Sequence, residues 1–282
     1  MSCLSWNCGG LGHPRTVQVL LELVRSKKLN FIFLMETICS REKLESLKFK
    51  LGFDNLFNVD KVGRSGGLAL YWKSSHNVRR LKFGRFYGFP ELSKRRDSWE
   101  LLRSLSSLSS LPCVCIGDFN ELLHNSEKCG RCQQPNWKLK GFRAAVSDSG
   151  LVDLGMKGYQ YTWERSRGTV DWVEKRLDRA LASSTWLSFF PKARVVSLEA
   201  MCSDHLPIFL DPFSHHPYPR IKRFKFENVW PRESDCVEVV TKSWERSGGR
   251  PIQSKLLFSG ADLMRWGGHV ACEFINRLAS CK

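Results

Sequence analysis

Short, unbroken apolar runs constrain this chain more than any other feature. Phe31-Ile32-Phe33-Leu34-Met35 holds no polar residue, so neither side of it suits water, and it reads as a strand covered on both faces. Leu68-Ala69-Leu70-Tyr71-Trp72, entered through Gly66-Gly67, and Val114-Cys115-Ile116 read the same way. Val195-Val196-Ser197-Leu198 and Ile208-Phe209-Leu210 read as strands flanking Ser203-Asp204-His205, and Leu4 to Gly12 begins strand-like and ends in a glycine-rich loop. Helical spacing fills the intervals. Pro14 suits a first turn before Val17, Leu20, Leu21 and Val24; Trp99, Leu102, Leu105 and Leu108 stop at Pro112; Leu139, Phe142 and Val146 precede Gly150. Buried strands alternating with helices predict an α/β protein whose sheets carry helices on their outer faces.

Polar residues cluster where these runs stop. Asn7, Glu36, Asp118, Asn120, Asp204 and His205 each sit at, or just past, the end of an apolar run. In sheets with covered faces such positions converge on one end, where sites are built. Taken singly, Asp118 could cap a helix, Asn120 could hold a turn, and His205 could be a satisfied core histidine. Taken together, carboxylates with oxygen-only ligation favour a hard cation such as Mg²⁺, and a histidine beside them is a candidate acid or base.

The formal net charge of +16 points to an anionic partner, most commonly nucleic acid. A basic protein presenting such a cluster suits phosphodiester hydrolysis. Charge alone does not separate DNA from RNA or from an anionic membrane surface. The stretch holding Lys73, Arg79, Arg80, Lys82, Arg85, Lys94, Arg95 and Arg96 contains only Glu91 as an acid and flanks Tyr87. It is a candidate phosphate-tracking surface, or else a solvated loop face. The 11 cysteines show no repeated spacing; Cys129 and Cys132 form a lone C-x-x-C, without the second pair of a zinc ribbon. Free thiols in a reducing compartment are expected. With no apolar run of about 18 residues and no signal-peptide pattern, the expectation is a soluble intracellular protein with no membrane partner. Nothing in the sequence implies an obligate protein partner.

The wording of the motifs carries a resemblance. Ser5-Trp6-Asn7-Cys8-Gly9-Gly10-Leu11-Gly12, Met35-Glu36-Thr37, Phe86-Tyr87-Gly88-Phe89-Pro90, Gly117-Asp118-Phe119-Asn120, Tyr161-Thr162-Trp163, Arg176-Leu177-Asp178-Arg179-Ala180-Leu181 and Ser203-Asp204-His205-Leu206-Pro207 follow one another in that order over roughly residues 2–210. This series resembles the endonuclease domain of plant LINE (non-LTR) retrotransposons, within the endonuclease/exonuclease/phosphatase superfamily. The resemblance implies a four-layer α/β/β/α sandwich over residues 1–212, with the site at one end of two packed sheets. It implies that Glu36 binds Mg²⁺ or Mn²⁺ beside Asn7 and Asp204. It also implies that Asp118 activates or orients the attacking water, Asn120 holds a phosphate oxygen, and His205 binds the scissile phosphate and stabilises charge in the transition state. Asp178 would then orient His205, and Tyr87 would contact the phosphate. Trp163 would lie near the DNA surface or serve as core. The partner would be DNA, and the compartment the nucleus.

Residues 213–282 begin with a Pro- and His-rich linker and continue helix-prone; they resemble the connector that precedes reverse transcriptase in such elements. No reverse transcriptase follows, so a fragment of such an element is expected. Only fifteen positions separate Trp72 from Tyr87, where the family places additional strands, and Phe89 stands where a histidine is usual. Residues 73–86 are therefore expected to be poorly ordered or an exposed edge. Three functions follow: a metal-dependent DNA endonuclease, a non-catalytic relic that binds nucleic acid through charge, or a hydrolase of small phosphoesters. The motif wording and the charge favour the first.

Overall fold

The computed structural model describes residues 2–63, 65–74, 81–130, 132–200, 202–213, 230 and 233–280. Arg79 and Arg80 of the basic stretch lie outside the described residues. The chain forms two compact units, Met1–Tyr218 and Pro219–Lys282.

In the first unit, the chain runs β1 (Cys3–Asn7), α1 (Pro14–Lys27), β2 (Phe31–Met35), α2 (Arg41–Leu51), β3 (Asn55–Val62) and β4 (Ser65–Trp72). It continues through β5 (Lys82–Tyr87), α3 (Arg95–Ser107), β6 (Cys113–Asp118), β7 (Lys128–Cys129), α4 (Asn136–Asp148), β8 (Leu151–Asp153), β9 (Trp163–Arg165) and β10 (Val173–Lys175). It closes with β11 (Asp178–Ser183), α5 (Ser184–Phe189), β12 (Arg194–Ser197) and β13 (Ile208–Asp211). One sheet has the order β12-β13-β1-β2-β4-β3, and a second the order β5-β6-β11-β8; β7-β10-β9 make a small third sheet.

The residues dictate four layers. Along β1, β2 and β6 successive side chains point to opposite faces. Leu4, Trp6, Ile32 and Leu34 pack outward with Leu20, Leu44 and Leu47 of α1 and α2. Cys3, Phe31, Ile208 and Leu210 pack inward against Val114, Ile116, Ala180 and Ala182 of the second sheet. Cys115 and Leu181 face the other way, onto Trp99 and Leu102 of α3 and Phe142 and Val146 of α4. The result is a mixed α/β sandwich of helix, sheet, sheet and helix.

Strand β5 is the outermost strand of the second sheet, paired in parallel with β6 alone. Its burial is mostly intermediate, because Phe83 stacks on Phe31 across the gap between the sheets, with ring centroids 5.1 Å apart. Residues 82–87 are thus an edge, but a half-covered one; residues 75–80 lie outside the described residues. The described cysteines are free, with Cys115 buried, Cys113 half-buried, and Cys129 and Cys132 exposed. No described helix is long and apolar enough to cross a membrane.

The second unit contains α6 (Ser234–Arg246) and α7 (Ile252–Ser280). Trp230, Cys236 and Leu263 form its small core, with Val239, Val240 and Trp266 packed against it.

Close backbone approach between β5 and β6 rests on a glycine. A Cβ at Gly117 would lie 1.8 Å from the Phe86 carbonyl oxygen, whereas one at Gly12 would meet nothing within 4 Å. Gly117→Ala is therefore expected to lower stability by at least about 1–3 kcal/mol in a denaturant titration, with Gly12→Ala nearly neutral. Equal stability of the two variants would contradict the described approach of β5 to β6.

Candidate active site

Period-two alternation decides which side chains reach the gap between the sheets. On β6, Val114 and Ile116 face inward, so Asp118 does as well. On β11, Ala180 and Ala182 face inward, so Asp178 follows. Register then aligns the ends: Asp178 pairs opposite Asp118, and Tyr87 pairs opposite Asp118 from the other side. From the facing sheet, β1 ends at Asn7, in parallel register with Met35 of β2, and Glu36 follows.

Loops lock these ends together. The Gly88 N–H donates to the Asp118 carbonyl, and the Phe119 N–H to that of Leu177. Asn120 donates from its backbone N–H to Asp118 Oδ1 at 2.8 Å and from its side-chain Nδ2 to the Gly88 carbonyl at 2.9 Å. Glu36 and Asn120 both adopt left-handed φ, 51° and 56°. This is an unfavourable backbone for residues other than glycine, and it is typical of functional sites.

His205 is clamped from several directions. Its carbonyl accepts from Trp6 Nε1 at 3.1 Å, and its N–H donates to Ser203 Oγ at 3.1 Å. Ser203 Oγ in turn donates to the Asn7 carbonyl at 2.9 Å. The ring nitrogen Nδ1 lies 2.8 Å from Asp178 Oδ2, while Nε2 lies 3.8 Å from Asp118 Oδ2. Thr162 Oγ1 accepts from the N–H groups of Leu177 and Asp178, which fixes the start of β11. Trp163 bridges to His205 along the backbone, and its Nε1 donates to Asp204 Oδ2 at 2.9 Å. Tyr87 Oη donates to Glu36 Oε1 at 2.5 Å across the gap between the sheets.

Asp118, Asp178 and His205 are all buried, and their charges interact strongly. Burial pushes the Asp118 carboxyl up to about 6, and Asp178 pushes in the same direction while His205 opposes it. Burial works against charge on His205, yet the carboxylates of Asp178 and Asp118 carry it up to about 9. Burial and the bond to Glu36 both raise the Tyr87 phenol, so it stays protonated.

Two places in this cleft have the chemistry to hold a cation. One oxygen each of Asp118 and Asp178 and a nitrogen of His205 lie within 4.8 Å of one another. In that group Asp178 Oδ2 and His205 Nδ1 already engage each other, while Asp178 Oδ1 is buried without a hydrogen-bond partner. The second place is Asn7 with Glu36. Asn7 Nδ2 donates to Asp118 Oδ2 at 3.3 Å, and Asn7 Oδ1 is buried with no hydrogen-bond partner. A buried orphaned oxygen costs about 1–3 kcal/mol, and a hard cation would satisfy it. The oxygen-only donors of Asn7 and Glu36 fit Mg²⁺ or Mn²⁺ better than a set containing a hydrogen-bonded imidazole.

The residues read from sequence come to different places. Asn7, Glu36, Tyr87, Asp118, Asn120, Asp178 and His205 are linked through the bonds above, and exposed Asp204 joins through Trp163. Lys82, Arg85 and Arg95, described members of the basic stretch, do not share one face. Lys82 donates to the Leu105 carbonyl, Arg85 lies over the Phe83 ring, and Arg95 pairs with Glu121 at 3.6 Å. The alternation of β5 sends Lys82 and Arg85 to opposite sides. Sequence reasoning gave Thr162 and Ser203 no role, although both stand inside quoted motifs.

A family model described as Endonuclease/Exonuclease/phosphatase family matches residues 4–205. No curated protein sequence matches the chain. The fold is similar to that of several solved structures. A 3'-5' exonuclease from Neisseria meningitidis has 17% identity and a TM-score of 0.57, over 75% of this chain and 99% of its own. An AP endonuclease from Archaeoglobus fulgidus has 15% identity and a TM-score of 0.55, over 75% and 98%. The endonuclease domain of TRAS1, a telomere-specific non-LTR retrotransposon, has 13% identity and a TM-score of 0.53, over 74% and 97%.

The His205–Asp178 pair makes a direct test. Its stabilising effect is complete below the ordinary imidazole value of 6.5 and is lost as pH rises through about 9. Asp178→Asn in metal-free buffer is expected to lower the His205 midpoint, followed by NMR, by at least about one unit. A midpoint that stays in place would show that Asp178 does not hold the imidazolium.

Proposed function

We propose, from the premise that the chain belongs to the Endonuclease/Exonuclease/phosphatase family, that it is a divalent-metal-dependent DNA endonuclease that nicks a phosphodiester strand. The observation that carries this reading is the buried group of Asp118, Asp178 and His205, joined to Asn7 through its Nδ2 bond to Asp118 and to Glu36 through Tyr87, which stands opposite Asp118. The net charge of +16 supports a polyanionic substrate over a small phosphoester. The motif wording supports the finer assignment to a LINE-type element. Similarity of fold to the endonuclease domain of a non-LTR retrotransposon agrees with it; a Neisseria 3' phosphatase of similar fold binds a product DNA hairpin, in line with DNA as the partner.

In the proposed reaction Asp118, ionised above about 6, takes a proton from water as its oxygen attacks phosphorus. The phosphorus bond to the leaving sugar oxygen breaks, and that oxygen is protonated from solvent in the cleft. His205, held cationic by Asp178, presents Nε2 to the phosphate and stabilises the negative charge that builds there. Asn120 has one side-chain N–H committed to Gly88 and offers the other to a phosphate oxygen. Tyr87, kept protonated, orients Glu36 and borders the phosphate. Asn7 Oδ1 and Glu36 would hold the cation, with Asp204 beside them; bound there, it neutralises phosphate charge. Residues 213–282 we read as a connector outside this chemistry.

Supercoiled plasmid provides the test. Nicking is expected with Mg²⁺ and not with EDTA. Glu36→Ala should lose activity that raised Mg²⁺ partly restores, while His205→Ala should lose roughly 10²-fold or more with no recovery. The same metal response in both variants would overturn these roles, and a parent protein that leaves plasmid intact at every Mg²⁺ concentration would overturn the function.

A further inference from the structure

A set of cations outside the catalytic group has no place in the roles above. Glu121 directly follows Asn120 and is 1% exposed. Both of its carboxylate oxygens lack hydrogen-bond partners. Arg95, Lys138, Lys175 and Arg179 all act electrostatically on it, in opposition to the burial that raises its carboxyl. Arg179 is already neutralised by Glu127 and Asp153, at 3.1 and 2.9 Å. Arg95 reaches Glu121 at 3.6 Å, but that one carboxylate serves Arg95, Lys138 and Lys175 together; Lys128, which donates to the Cys132 carbonyl and pairs opposite Lys175 in register, adds to them. Burial first, and then repulsion from Lys128, Arg95 and Lys138, lowers the Lys175 ammonium. The Lys138 ammonium is lowered by burial and by Arg95 and Lys128, with Glu121 opposing.

These side chains come from α3, β7, α4 and β10, and all four are half-buried. The surplus is therefore built by the fold and is not a loose lysine surface. Arg95 is oriented by its Nη2 bond to the Pro90 carbonyl at 2.9 Å; its buried Nε and Nη1 make no hydrogen bond, Nη1 lying 3.6 Å from Glu121 Oε1. Lys175 lies over the Trp163 ring at 5.0 Å, and that indole donates to Asp204 at the cleft. Half-buried cations sharing a single carboxylate repel one another, and the guanidinium N–H groups that make no hydrogen bond call for an acceptor. An anion with several oxygens would answer both.

We propose that Arg95, Lys128, Lys138 and Lys175 form a subsite for a non-scissile phosphate of the nucleic-acid strand, beside the cleft on its Trp163 and Asn120 side. The identity of the strand as DNA rests on the function proposed above. Such a subsite grips a polymer with a second phosphate and has nothing to hold on a substrate with one. It fixes the register of the strand while the catalytic group acts on the neighbouring linkage.

The experiment is a fluorescence-anisotropy titration of the full chain with a short labelled DNA duplex in EDTA, across a series of salt concentrations. Without cation there is no turnover, so binding is read alone. Lys138→Gln and Lys175→Gln should each reduce the slope of log affinity against log salt by about one, and the double variant by about two. Lys175→Arg should keep the parent slope, as should Lys50→Gln on the exposed side of α2. Equal slopes for the parent, Lys138→Gln and Lys175→Gln would overturn the subsite, as would a parent that does not bind the duplex. Reduced slopes in a protein that fails to nick plasmid would uphold the subsite and overturn the nuclease reading. Unchanged slopes in a protein that nicks would do the reverse.

Discussion

The register of β6 at the middle of the second sheet governs everything around the cleft. It pairs in parallel with β5 and antiparallel with β11, so that Tyr87, Asp118 and Asp178 stand in one row. A slip of one residue on either side would turn an end residue away from the gap between the sheets and send apolar partners to the wrong face. Gly117 and Gly88 permit the tight approach that holds this row: a Cβ on Gly88 would lie 2.5 Å from the Phe119 carbonyl oxygen. Backbone packing therefore sets the chemistry before any side chain is chosen.

The facing sheet contributes a different kind of group. Asn7 and Glu36 bring oxygen donors, whereas the second sheet brings a buried carboxylate pair that the loop-borne His205 joins. Burying ionisable groups together is costly unless they compensate one another. Here Asp178 engages the imidazole, Asn120 and Asn7 donate to Asp118, and Asn7 Oδ1 and Asp178 Oδ1 are left over. The proposed cation would take the Asn7 oxygen, which belongs to an oxygen-only set with Glu36, rather than the Asp178 carboxylate already bonded to an imidazole. Outside the cleft, the network of Arg176 and Arg179 with Glu127 and Asp153 is closed on itself. Its closure is why the open cation set around Glu121 stands out.

Much of this was legible in the residues. Phe31–Met35 is a strand over the same span read from its apolar run, because a segment with no polar side chain has few alternatives. Helix α1 begins at Pro14, as the first-turn preference of proline requires. Strand β3 escaped because it is an exposed edge, with Phe57 61% exposed, and so lacks a buried run. Strand β5 was legible only as one of two alternatives, a poorly ordered stretch or an exposed edge, because Arg85 and Gly84 interrupt its apolar residues and its partial cover comes from Phe31, distant in sequence. Strand β11 opens with Asp178 and Arg179, both fully buried, and only their distant partners make that burial tolerable. Of the cation set only Arg95 stood in the basic stretch; Lys128, Lys138 and Lys175 are scattered along the chain and join it only in the fold.

The central claim is a division of labour in which the first sheet's strand ends hold the metal and the second sheet's buried pair with His205 acts on the phosphate. Anomalous X-ray scattering from crystals soaked in Mn²⁺ tests it most directly. An anomalous peak is expected in contact with Glu36 and Asn7 Oδ1, with the His205–Asp178 hydrogen bond intact. A peak bound instead by Asp118, Asp178 and His205, with that hydrogen bond broken, would contradict it.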